Sequence, residues 1–156
     1  MSINLVLHST DAISYSGGTA SFYVNWNNFY EDDPYCKYNV SFSFQSTKDD
    51  SDNIDATKVY QLYLENFGTT IRTIEGTNYS GNSNNSLAIG FLEVDEIHNQ
   101  QDRHLIARYS TNPPVTIQGR PEGNIITIAI RDLNKAKPAV AIDPPYILFL
   151  RFEKIQ

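Results

Sequence analysis

The residues that could do chemistry in this 156-residue chain are few and scattered. There are three histidines, His8, His98 and His104, and one cysteine, Cys36. His98 and His104 stand six apart, with Asp95, Glu96 and Asp102 nearby, so an oxygen–nitrogen metal site is conceivable there. The spacing, however, fits neither an HExxH helix nor a zinc-finger pattern. Cys36 follows the acidic Glu31-Asp32-Asp33 run, and a nucleophilic thiolate needs a base and a positive setting instead. The acidic stretch from Thr47 to Asp55 offers hard oxygen ligands, yet it lacks the glycine and closing glutamate of a calcium loop. Glu65 and Glu93 are the carboxylates that could flank a glycosidic bond if they faced one cleft. No nucleophile elbow, phosphate loop or dinucleotide fingerprint is present. The expectation is a protein that is not an enzyme and carries no cofactor and no metal.

What must position these residues is a set of strands. Tyr38-Asn39-Val40-Ser41-Phe42-Ser43-Phe44-Gln45 alternates without interruption, apolar on one side and uncharged polar on the other. The same period of two predicts strands over Ser2–His8, Ala20–Trp26, Thr57–Asn66, Ser86–Asp95, Arg103–Tyr109, Val115–Gln118, Asn124–Asp132 and Tyr146–Glu153. A short partner is expected over Thr69–Ile74. Trp26 falls in line with Ala20, Phe22 and Val24, which puts it in the core. Ten Tyr and eight Phe against one Trp suit sheets, where broad rings pack across strands. The fold class expected is all-β: an antiparallel two-sheet sandwich, a single jelly roll of about eight strands, in one domain over 1–156. An immunoglobulin-like sandwich is the nearest rival, but its paired cysteines and central tryptophan pattern are missing.

Composition narrows the partners. With 12 basic and 18 acidic residues the formal charge is −6, and no Lys/Arg cluster exists, so direct nucleic-acid binding is disfavoured. No apolar run approaches the length needed to cross a bilayer, so membrane insertion is not expected. A single cysteine excludes an internal disulfide framework and suits a reducing compartment. Two surfaces stand out. Tyr146–Glu153 has apolar residues on both faces, so Tyr146, Ile147, Phe149 and Arg151 are candidates for subunit contact. The Asn-, Ser- and Gly-rich stretch around Asn78, Tyr79, Asn82 and Asn84 is the candidate ligand-facing loop.

The segments Pro114–Gly119, Ile126–Asp132 and Pro145–Glu153, with Leu5–Ser9 and Phe42–Ser46, resemble those of single jelly-roll minor capsid and penton-base proteins of large double-stranded DNA viruses. That resemblance implies a non-enzymatic virion structural protein, assembled in the host cytoplasm or nucleus. It also implies self-association, in pentons as a fivefold ring, and contact with other capsid proteins. The reading from a different class is a carbohydrate-binding or other ligand-recognition module. Its sugar-stacking candidates would be Tyr23, Trp26, Tyr79 and Tyr109.

Overall fold

The computed structural model describes residues 2–28, 36–47, 54–55, 57–66, 87–97, 102–108, 112–118, 123–132 and 145–155. Ten strands run through them: β1 (Ser2–His8), β2 (Ser14–Ser16), β3 (Thr19–Tyr23), β4 (Lys37–Ser46), β5 (Tyr60–Leu64), β6 (Leu87–Ile97), β7 (Asp102–Ala107), β8 (Val115–Gln118), β9 (Ile125–Asp132) and β10 (Tyr146–Ile155). The expected count of about eight is corrected upward. The short β2 has only three residues, too few to show a periodicity. Thr69–Ile74 lies outside the described residues.

All the pairings are antiparallel. The neighbour order is β1-β10-β4-β7-β6-β5-β9-β3-β2, with β8 also against β4. The arrangement is all-β and of the sandwich kind. Sheet A holds β1, β10, β4, β7 and β8; sheet B holds β5, β9, β3 and β2. β6 belongs to both, since its first half pairs with β5 and its second half, Glu93–Ile97, with β7. The path is open and ends in β1 and β2.

Register explains the core. Across sheet A, Leu7, Leu148, Phe44 and Ala107 form one row, Leu5, Leu150 and Phe42 the next, and Ile3, Phe152, Val40 and Val115 a third. Each row points to the same side because successive strand residues alternate. In sheet B the matching rows are Phe22–Ile126, Ala20–Ile128–Leu64 and Ile130–Leu62–Gly90. Residues of both sheets join one buried cluster. Trp26 meets Phe152 edge-on with ring centroids 5.8 Å apart, and its indole N–H donates to Ile125 O at 3.0 Å. Phe44 packs on Tyr146 at 4.8 Å, and Tyr15 closes on Tyr146 edge-on at 5.9 Å. Such aromatic pairs add about 1 kcal/mol each beyond their buried area.

Candidate functional surfaces

The outer side of sheet A is built from the residues between those core rows. One outer row reads His8, Ile147, Gln45, Ile106, Glu93; the next Val6, Phe149, Ser43; then Asn4, Arg151, Ser41; then Ser2, Glu153, Asn39, Thr116. Val6 and Phe149 are directly opposed and stay 52% and 44% exposed, with Ile147 and Ile106 half-buried beside them. Arg151 is held on this face, its Nε donating to Asn4 Oδ1 at 3.3 Å and its guanidinium 3.7 Å from Glu153. Ser43 and Thr116 donate to Ala107 O and Asn39 Oδ1 at 3.2 and 2.8 Å. The face is therefore an apolar pair flanked by uncharged Ser43 and Asn4, with the Arg151–Glu153 ion pair in the neighbouring rows and Glu93 beyond Ile106.

Three of the four residues expected for contact, Ile147, Phe149 and Arg151, share this face. Tyr146 does not. At 2% exposure it fills the core against Phe44 and Tyr15, because even-numbered positions of β10 point inward. The loop residues Asn78, Tyr79, Asn82 and Asn84 lie outside the described residues, as do Tyr79's fellow stacking candidate Tyr109, the acids Asp49, Asp50 and Asp52, and His98.

The candidate chemical groups can be placed one by one. His104 and Asp95 are cross-strand partners on β7 and β6, and His104 Nδ1 lies 3.5 Å from Ser46 Oγ. Serine, histidine and aspartate in that order resemble a hydrolytic relay. Ser46, however, is 1% exposed, and its Oγ accepts the Leu105 N–H at 2.9 Å. The buried hydroxyl stitches β4 to β7 where their ladder opens. Among the described residues no group of three or more His, Cys, Asp or Glu could hold a metal ion. Cys36 is buried at the head of β4. Asp55 is committed to a turn: the Thr57 hydroxyl and N–H donate to its Oδ1 at 2.7 and 2.9 Å. The hydroxyl bond first, then the backbone bond, holds its carboxyl below the usual range. Glu93 is exposed on sheet A, whereas Glu65 follows β5 of sheet B, so they do not form a pair across one sheet face.

Sheet B carries a polar cluster that sequence reasoning missed. Arg131 pairs with Glu65, and its guanidinium carbon sits 4.9 Å over the Tyr63 ring. The Tyr63 hydroxyl donates to Gln61 Oε1 at 3.0 Å. Gln61, Tyr63 and Arg131 are all buried although they project from the outer side of the sheet. The one signal is a lone arginine directly after the mostly apolar run Ile125–Ile130. Further along this side, Ser21 and Thr127 hydroxyls lie 3.1 Å apart, and Tyr23 stands 78% exposed opposite Ile125. Trp26, by contrast, is fully buried in the core, as expected from its alternation.

No family model matches the sequence, and no curated protein matches it.

Proposed function

We propose that this protein is a virion structural subunit, a minor capsid or penton-type component, built on a single jelly roll. Support for the jelly roll comes from the chain's path. It visits sheet A, sheet B, A, B, then passes through β6 back to A, and returns to B in β9 and A in β10. Neighbours become β1-β10-β4-β7/β8 on one side and β3-β9-β5-β6 on the other, the interleaving that two Greek keys produce. The observation that carries the functional reading is the exposed Val6–Phe149 pair on the outer face of sheet A. A sheet that leaves adjacent large apolar side chains in water, with uncharged Ser43 and Asn4 beside them, fits a lateral protein contact. Closed symmetry would repeat that contact around a ring.

The test is mass measurement in solution across a wide concentration range, alone and with the other shell proteins. Self-association or co-assembly that weakens in Phe149→Lys supports the reading. A monomer that joins no assembly, with or without the substitution, removes it.

A second reading, sugar recognition, is favoured by one observation: Tyr23 presents an open ring next to the Ser21 and Thr127 hydroxyls. A glycan array without hits, and no rise in melting temperature on adding sugars, would dispose of it.

A further inference from the structure

Among the described residues no strand lies on one side of the β1 backbone, and the direction of its polar groups can be read from two bonds at the far end of β10. The Tyr146 N–H donates to Ser9 Oγ on the β1 side at 2.8 Å, while Pro145 O accepts the Thr47 N–H on the β4 side at 2.7 Å. Polar backbone groups alternate in direction along a strand, so Leu148, Leu150 and Phe152 also address β1. Their register partners Leu7, Leu5 and Ile3 therefore bond to β10. It follows that Ser2, Asn4, Val6 and His8 turn their N–H and C=O groups away from the sheet. The side chains of these four residues are all exposed, and among the described residues β1 pairs only with β10.

An edge of this kind is normally blunted by brevity, proline, lysine or a bulge. β2, at the other end of the path, is three residues long. β1 has seven residues, Ser-Ile-Asn-Leu-Val-Leu-His, paired with β10 without a register break, and contains no proline, glycine, lysine, arginine or acid. In a chain of net charge −6 it is a neutral strip along which two copies can approach. Its core-side leucine Leu5 is only half-buried, although Ile3 and Leu7 on either side are buried.

We infer that β1 pairs antiparallel with β1 of a second copy across a twofold axis at Leu5, joining two copies of sheet A into one continuous sheet. This rests on the reading of the protein as an assembly subunit and names how two copies meet. With the axis at Leu5, Asn4 of each copy faces Val6 of the other, and Ser2 faces His8. All the outward backbone groups then find partners, and no residue of the strand overhangs. Leu5 meets its own symmetry mate in the closely spaced, non-hydrogen-bonded position, which completes the half-covered layer of the core. The contact is isologous, so by itself it stops at two copies.

Asn4→Pro, compared with Asn4→Ala, isolates the claim: both remove the carboxamide to which Arg151 Nε donates, and only proline removes the N–H of Asn4. That N–H points outward, so the fold does not use it, and edge positions tolerate proline. Asn4→Pro deletes two bonds per dimer, one from each copy. Sedimentation equilibrium should find a dimer of the wild type that Asn4→Pro weakens roughly ten- to a hundredfold, with an unchanged circular dichroism spectrum. Hydrogen exchange at the Asn4, Val6 and His8 amides should slow as protein concentration rises, while those of Leu5 and Leu7 are protected throughout. A wild type with fast exchange at those three amides at every concentration overturns the pairing, and so does a dimer indifferent to Asn4→Pro. Loss of assembly in Phe149→Lys with no effect of Asn4→Pro would sink the edge contact and leave the shell reading standing. Dimers without any incorporation into shells would do the reverse.

Discussion

Asn112 grips Phe91 by both of its backbone polar groups. Its Oδ1 accepts the Phe91 N–H at 2.9 Å and its Nδ2 donates to Phe91 O at 3.1 Å. The carboxamide thus stands in for a strand neighbour at the place where β6 finishes with β5 and starts with β7. Asn112→Ala should destabilise the protein by about 2 kcal/mol, the sum of two net hydrogen bonds, measured by urea unfolding.

Gly90 is adjacent, and a Cβ there would lie 2.6 Å from Phe42 Cε1 and 2.7 Å from Asn112 Oδ1. Gly90→Ala should therefore cost about 1–3 kcal/mol through forced repacking. Adding Phe42→Leu should recover part of that loss. A double variant whose cost equals the sum of the two single costs would show that Phe42 is not what the methyl meets.

Arg131 and Glu65 allow an asymmetric comparison. Glu65→Gln leaves a cationic guanidinium buried beside Tyr63 and should cost about 3 kcal/mol. Arg131→Met, which withdraws the buried charge and keeps a flexible apolar chain, should cost clearly less. Equal losses in thermal or urea unfolding would mean that the charge itself carries no penalty.

Asp55 sets a pH test. Its folded-state carboxyl titrates below the usual range, chiefly through the Thr57 hydroxyl. A depressed folded-state value means that the turn's contribution to stability is present above the ordinary carboxylate pKa. It is lost as pH falls through the folded one. In Thr57→Val the Asp55 carboxyl should titrate higher, read by its NMR chemical shift, while the remaining N–H bond keeps it from returning fully.

Much of this was legible in the residues. β1 and β8 have the bounds that alternation assigns, β9 starts one residue later than expected, and β4 runs one residue further at each end. The reason is physical: where one side of a strand is buried, the period of two is enforced at every position. The failures have equally local causes. Ala20–Trp26 stops as strand at Tyr23, and Trp26 lies in a 3-10 turn with its indole N–H tied to Ile125 O. Thr57–Asn66 shrinks to Tyr60–Leu64 because Asp55 caps a turn that takes Thr57 and Lys58. Apolar residues on both faces of Tyr146–Glu153 make Tyr146 a contact candidate, yet its parity puts it with Leu148 and Leu150 in the core. Alternation with Ile126, Ile128 and Ile130 places Arg131 on the outer side of β9, and alternation does not reveal that this side is covered. The Val6–Phe149 pair needed the register between the two ends of the chain, which alternation alone does not supply.

The strand common to both layers has a mechanical consequence. Because Leu87–Leu92 is held by one layer and Glu93–Ile97 by the other, force applied to either plate reaches its mate as tension along a covalent backbone. Sliding the plates past each other would require tearing hydrogen bonds from both ends of a single segment at once, so the molecule should resist shear more stiffly than two plates glued by oil alone.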